Sequence, residues 1–242
     1  MQALLDWVAC KQAPTKKGEK TNLVLNIRFN HSYITPLPAP TDTRNRILTA
    51  AESLFAQYGY GGVSLRQITV AAKVNVASVN YHFFDKEGLY RDLLRLRLRQ
   101  INQVRLGLLE AAQARAGDRP VPLPEIFDAL ARPLFFPSPE TAPLAPRLLG
   151  RLLSERQPFA DDLVREEFQP AMTRFGQAIR RHQPALPPAD FIWRLSFVIG
   201  ALHHALTTLP DMALHTGGLC QAGDCAAALK NFSDFSVKAF ST

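Results

Sequence analysis

An all-α fold is expected from three features of the 242-residue chain. From residue 41 onward, apolar side chains recur three and four positions apart, the spacing of helices that bury one face. Beyond Gly117 there is no Val/Ile-rich alternating run of the kind that builds a sheet. Between Val63 and Leu89, two short helical patterns are joined by so tight a turn that they cannot bury both faces against each other, and a third helix follows at once. These features predict an N-terminal three-helix domain built around a helix-turn-helix, followed by a C-terminal helical bundle.

Residues 1–40 precede this pattern. They combine a short apolar start, a basic patch at Lys16, Lys17 and Lys20, an alternating run from Leu23 to Phe29, and a link containing Pro36, Pro38 and Pro40. A lone strand is not stable by itself. The segment therefore reads as a poorly ordered basic extension or the product of a mis-set start codon, with a basic arm assisting the next domain as the alternative. The first helix is expected from Thr41 or Asp42, with Ile47, Ala51, Leu54, Phe55 and Tyr58 in one apolar stripe and Gly59 as its stop.

Ser64 is a good N-cap for the second helix, and Gln67 three residues on completes a capping box, with Val63 and Ile68 at the staple positions. This helix is expected to run to about Ala72 and to bury Leu65, Ile68 and Ala72. After Lys73 and Val74, Asn75 can cap a third helix whose inner face is Val76, Val79 and Phe83. Its outer face is Ala77, Ser78, Asn80 and Tyr81, small and hydrogen-bonding groups rather than solubilising charge. That composition suits a major-groove reader. An amide such as Asn80 can pair bidentately with adenine, while Ala77 and Ser78 suit a thymine methyl or a neighbouring base. Asp85 then caps a fourth helix with Lys86 in its first turn.

The charge distribution agrees. Residues 1–40 hold five Lys/Arg against two Asp/Glu, residues 41–100 nine against five, and residues 101–242 fourteen of each. The excess behind the net charge of +7 thus lies in the first hundred residues, where contacts to a phosphate backbone need it. Arg44 and Arg46 near the start of the first helix are candidates for such contacts. Three cysteines without a paired framework point to a reducing cytoplasm, and no apolar run reaches the length of a membrane span.

The order Ser64-Leu65-Arg66-Gln67-Ile68, then Tyr81-His82-Phe83, two residues, Lys86-Glu87, one residue and Leu89, resembles the DNA-binding domain of the TetR/AcrR family of transcriptional regulators over about Thr43 to Leu94. The resemblance implies a domain over residues 41–88 that binds a double-stranded DNA operator. Tyr81, His82 and Lys86 are then expected on phosphates and Arg66 on the backbone or a base edge, with Arg44, Gln67 and Asn75 completing the set. Two positions depart from the family pattern. Asn80 stands where Tyr is usual, and Lys73 stands where a left-handed turn usually has Gly. A side chain there costs about 1 kcal/mol, which leaves room for a differently shaped turn.

The fourth helix is expected to continue to about Ala114, because Leu89, Leu93, Leu96, Leu98, Ile101, Val104 and Leu108 arrive without a proline; that is on the order of 40 Å of rod. Arg91, Arg95 and Arg99 share one of its faces, as solvated charge or as partners of phosphate or an acidic neighbour. Further helices are expected near 124–136, 143–155, 159–183, 188–210 and 222–240. Their apolar load, including Phe127, Leu130, Leu148, Leu152, Met172 and Phe175, exceeds what short helices need merely to pack. An internal ligand pocket or a dimer interface would account for it.

Within this half, Leu148 to Leu153, Leu186-Pro187-Pro188 and Phe191 to Ala201 resemble the regulatory domain of PsrA-type, fatty-acid-responsive members of the family. The resemblance implies a bundle over residues 89–242 that accepts a long acyl chain or similar small apolar effector, with its last two helices pairing in a homodimer. Trp193 and Phe197 join the candidate lining on this basis, and Arg151, with Arg147 and Arg194, is a candidate for the polar end of the ligand.

The expected protein is a homodimeric, effector-responsive repressor. A drug or aromatic-compound sensor and a ligand-independent DNA-binding dimer are the alternatives. No enzyme is expected, because the chain has no Gly-rich phosphate loop, nucleophile elbow or zinc-protease helix motif, and no cofactor is implied. His203 and His204 with Cys220 and Cys225 do not suggest a metal site: adjacent helical side chains point about 100° apart and the cysteines are five apart. Glu155, Asp161, Asp162, Glu166 and Glu167 read as a solvated acidic face or a dimer contact.

Overall fold

Ile47, Leu48, Ala51 and Phe55 fall on one side of a helical turn pattern and drive α1, Thr43–Tyr58, to bury that side. The structure is a computed structural model that describes residues 43–137, 144–155 and 157–241. The expected extension over 1–40 and the start of the first helix at 41–42 lie outside the described residues. Regular structure among the described residues is helical throughout. Tyr58 departs from the expected stripe and is 51% exposed, because the buried face of α1 runs through Leu48, Glu52, Phe55 and Ala56 and leaves Tyr58 at its edge. Gly59 ends the helix at a φ of 72°, where a Cβ would collide with the carboxylate of Glu155.

The capping box forms as expected at α2, Leu65–Ala72. Ser64 Oγ accepts from the Gln67 amide at 3.3 Å, and Gln67 Oε1 accepts from the Ser64 amide at 2.7 Å. Val63 and Ile68 are both buried. Lys73 then takes the left-handed conformation that glycine usually supplies, with φ 54° and ψ 49°. A differently shaped turn does not form. The reason lies on α1: Arg46 Nη2 donates at 2.6 Å to the carbonyls of both Ala72 and Lys73, so one guanidinium holds the turn against the strain of its own residue. Asn75 caps α3, Val76–Phe83, through Oδ1 to the Ser78 amide at 2.8 Å. Val79 and Phe83 are buried, whereas Val76, in the first turn, is exposed.

Asp85 caps α4, Lys86–Ala116, whose 31 residues make a rod of about 46 Å. Its first half packs on α1 and α3. Its second half packs on α5, Leu123–Phe135, and α7, Pro158–Arg180. Between them α6, Ala145–Glu155, touches both α1 and α8, Pro188–Thr208. Pro210, which has no amide proton to continue α8, converts the expected end of that helix into a 3-10 turn at Leu209–Asp211, followed by the short α9, Met212–His215. Asp224 Oδ1 accepts from the Ala227 amide at 2.9 Å and starts α10, Cys225–Ala239, which lies against α5 and α8. One continuous apolar core runs from Ile47 to Phe240 through both lobes.

Where α1 crosses α4, Arg97 and Glu52 form a two-pronged ion pair, with Nε to Oε1 at 2.8 Å and Nη2 to Oε2 at 2.5 Å. The side chains are 2% and 5% exposed, and Gln100 Oε1 accepts from Arg97 Nη1 at 2.8 Å. A paired, fully desolvated charge adds little net stability, but an orphaned one is costly. Glu52→Leu alone or Arg97→Met alone is expected to lose about 3–5 kcal/mol in urea unfolding, and the double replacement to recover most of that loss. Lys73→Gly is expected to gain about 0.5–1 kcal/mol in the same assay without DNA, because relief of the left-handed strain exceeds the added freedom of the unfolded chain.

Candidate functional site

The turn and cap residues leave α3 standing on the surface with one face uncovered. Ala77, Asn80 and Tyr81 lie on it, Tyr81 being 85% exposed, and the Asn80 amide makes no hydrogen bond to a described residue. His82 is half-buried, its ring 5.0 Å from that of Tyr81. Arg66 and Gln67 are exposed on the neighbouring α2.

Several of the side chains expected at DNA have partners within the protein. Asn75 Oδ1 accepts from both the amide and the hydroxyl of Ser78, at 2.8 and 2.9 Å, so these two side chains hold the start of α3 together. Gln67 keeps its Oε1 in the capping box, where the Ser64 hydroxyl also donates to it at 2.8 Å. Arg44 pairs with Asp92 of α4 at 2.9 Å and lies over the Phe83 ring.

Lys86 is turned inward. Its ammonium donates to the carbonyls of Tyr60 and Val63 at 3.0 and 2.9 Å and sits 4.2 Å from the centre of the Tyr60 ring. It thereby ties the loop before α2 to the start of α4, a role that resemblance alone did not indicate. The sequence also missed Phe84, which is 85% exposed and follows α3 directly. Its φ of 73° and ψ of −55°, with the Asp85 amide donating to the Phe83 carbonyl at 2.9 Å, make a γ-turn of the strained type.

In the C-terminal half, the expected ligand lining separates into three groups. Phe127, Leu130, Leu148, Leu152 and Phe175 are buried within the one continuous core, and Met172 packs at its edge. Trp193 and Phe197 point outward, 58% and 61% exposed, with their rings stacked 5.8 Å apart. They do not line an interior. Two surface clefts lie elsewhere. One of about 380 Å³ is lined by Leu54, Ser64, Arg66, Gln67, Val70 and Ala71. The other, of about 230 Å³, lies between the end of α4 and the segment from Arg119 to Glu125. Helical spacing marks a residue as inward-facing, but does not say whether its opposite number fills the space.

Arg151, expected at a ligand's polar end, instead donates to the Gln57 carbonyl at 3.1 Å, at the C-terminus of α1 where a cation is favoured. Beside it Glu155 accepts from the Tyr60 amide at 3.0 Å. Arg91 of α4 donates to the Phe159 carbonyl at 2.6 Å, and the Phe159 ring packs 5.0 Å from that of Tyr60. Burial and the nearby Glu155 carboxylate push the Tyr90 phenol far above its ordinary pKa. Arg194 donates to the Ala239 carbonyl at 2.8 Å, and Arg147 is exposed. The expected acidic face is partly structural as well, since Glu167 pairs with Arg99 at 2.8 Å and Arg95 at 3.5 Å. Among the described residues no helix is long and apolar enough to cross a membrane.

Residues 47–93 match the family model described as bacterial regulatory proteins, tetR family, and residues 128–238 match the Tetracyclin repressor-like C-terminal domain. The chain is similar to the HTH-type transcriptional repressor AcnR of Corynebacterium glutamicum, 38% identical over 56 residues, which is 23% of this chain and 30% of that protein. The chain spans only 25–30% of the length of such curated relatives. The crystal structure of a transcriptional regulator from Rhodococcus sp. RHA1 is similar over 83% of this chain and 99% of that one, with a TM-score of 0.58 and 16% identity, which concerns the fold. With an exposed reading helix on one lobe and both lobes matched by models of one family, the chain is a member of the TetR family of transcriptional regulators.

Proposed function

We propose that the protein is a homodimeric repressor that reads an approximately palindromic operator through α3 and leaves it when the C-terminal bundle binds a small apolar effector, one carrying a long acyl chain. The observation that carries the DNA-reading part is the outer face of α3, where Asn80 offers an unengaged amide between Ala77 and Tyr81. Asn80 reads a base edge, Ala77 lies against a thymine methyl, and Tyr81, His82 and Arg66 bind phosphates. Arg44, Gln67, Asn75, Ser78 and Lys86 support this surface by fixing α1, α2, α3 and α4 in register.

A heptad-like stripe supports the dimer. Trp193, Phe197, Gly200, His204 and Thr207 are all exposed along α8 at alternating spacings of four and three, and Phe235 is exposed on α10. Two copies that bury these faces in a four-helix contact hold their reading helices about one turn of DNA apart, roughly 34 Å. Effector binding shifts α6 and α7, and the contacts from Arg151, Glu155 and Arg91 pass the shift to α1 and α4. For release to follow, the effector must favour the dimer whose spacing no longer matches the operator. The closed packing around Phe127, Leu130 and Phe175 favours a second reading, a ligand-independent DNA-binding dimer. A DNA affinity that no apolar compound alters would select it.

Fluorescence anisotropy with the protein's own upstream DNA at two salt concentrations tests the reading. Wild type is expected to bind tightly with steep salt dependence. Asn80→Ala is expected to bind the operator roughly tenfold or more weakly and to leave binding to unrelated DNA unchanged, since a bidentate base contact is worth about 1–3 kcal/mol. Equal losses on both DNAs would remove Asn80 from base reading. Trp193→Asp is expected to sediment as a monomer and to lose operator binding; a dimer that persists would move the interface off α8.

A further inference from the structure

We infer that Arg105, buried where α4, α5 and α7 meet, receives the carboxylate of an otherwise apolar ligand. The inference rests on the effector-responsive reading above and assigns the polar end of that effector to a residue not previously connected with it.

Arg105 is 2% exposed. Its Nε donates to the Leu130 carbonyl at 2.7 Å, its Nη1 reaches Asn102 Oδ1 at 3.4 Å, and the Phe168 ring lies 5.9 Å from its guanidinium carbon. Asn102 is itself held by its Nδ2, which donates to the Glu167 carbonyl at 2.6 Å. A guanidinium carries five N–H donors, so most of this one has no acceptor among the described residues, and no carboxylate there pairs with it. Arg97, equally buried about two turns earlier on the same helix, has Glu52 against both prongs of its fork. The contrast is chemical: one interior arginine is neutralised and the other is not.

The plain structural account is that Arg105 serves the Leu130 carbonyl. Pro133 within α5 has no amide proton for the Ala129 carbonyl and crowds that turn, so a donor to the adjacent Leu130 carbonyl is useful there. One neutral N–H would suffice for that, and neither the positive charge nor the second prong is needed. Burial alone lowers the guanidinium pKa to about 10, and it therefore remains protonated at neutral pH. Among the described residues, the side-chain nitrogen and oxygen atoms that are both sealed and unpartnered are Arg180 Nη1 and Ser236 Oγ. Arg105 Nη2 makes no hydrogen bond to a described residue, so this donor is left for an acceptor that the described residues do not supply.

The surroundings select the ligand class. The Phe168 ring lies beside the cation, the Leu130 contact is through its carbonyl, and Leu109 is buried one turn along α4. The Nη1–Nη2 edge can give a carboxylate two parallel bonds, whereas a phosphate would need further donors that these neighbours do not carry. An apolar tail can then lie among the apolar side chains. Because Arg105 is on α4, 19 residues beyond Lys86 and about 28 Å along the rod, a ligand held there acts on the helix that carries the reader.

The test uses the full chain with decanoate and, as a neutral counterpart, 1-decanol, both below their aggregation limits, by calorimetric titration and thermal unfolding. Decanoate is expected to raise the unfolding midpoint of wild type and to bind Arg105→Met at least tenfold more weakly, with decanol binding both proteins alike. Arg105→Met without ligand is expected to unfold at a higher temperature than wild type, because an uncompensated buried charge has gone. Should that variant not fold, Arg105→Lys keeps the charge but lacks the fork and is expected to weaken decanoate several-fold. Equal decanoate affinity for wild type and variants, or no decanoate binding to wild type, overturns the site. Operator binding in parallel separates the two levels. Decanoate that binds through Arg105 without altering operator affinity keeps the site and removes the regulatory reading. Release by decanol that is indifferent to Arg105 keeps the regulatory reading and removes the site.

Discussion

The crossing of α1 over α4, with Arg97 and Glu52 at its centre, sets the position of everything else in the molecule. Each prong of the guanidinium needs its own carboxylate oxygen and neither group has access to water, so the two helices cannot slide past each other without exposing a bare charge to the interior. From α1, Arg46 reaches across to fix the turn between α2 and α3. From α4, Arg91, Arg99 and Asn102 reach α7. One desolvated ion pair thus fixes the register between the helix that steadies the reader and the helix that anchors the bundle.

The effector-driven release proposed above needs, beside this fixed crossing, a joint that can move. The contacts between α6 and α1 are different in kind: Glu155 and Arg151 are partly solvated and each makes single-atom contacts with backbone groups. Such bonds are individually weak next to a buried bidentate pair. A shift of α6 is therefore taken up at Gln57 and Tyr60, at the far end of α1, before it disturbs Glu52. The lever is short and its fulcrum is rigid.

The reader lobe was legible because its determinants are local. Ser64 with Gln67, Asn75 with its own third amide, Asp85 and Gly59 all act within one turn, and each does what its position suggested. What escaped were the long side chains. Arg46 meets carbonyls 26 and 27 positions away, Lys86 folds back over 23 and 26, and Arg151 crosses 94. A flexible cation on a helix surface has many possible partners, and only the tertiary arrangement selects one. For the same reason the left-handed Lys73 looked unfavourable until the clamp opposite it was seen. In the bundle, periodicity located Phe127, Leu130, Leu148 and Phe175 in the interior, but it could not distinguish a filled interior from a hollow one. Trp193 and Phe197 carry an apolar signal as strong as any core residue, and only the packing of α8 on its other face turns them outward.

The joint between the lobes has a further property. The α6 side chains grip the Gln57 carbonyl and the Tyr60 amide, and Arg91 grips the Phe159 carbonyl, so beside the ring contact of Tyr60 with Phe159 these polar contacts of the joint each set a side chain against main chain. Main-chain groups are the same whatever residue bears them. The surface of α2 and α3 can therefore change its side chains freely, and with them the sequence it prefers, without altering how the bundle holds it, provided that the position of Gly59 keeps only a hydrogen beneath the Glu155 carboxylate. A sensing half of this kind can be inherited by readers of unrelated targets, which makes interchangeability a property of the joint itself.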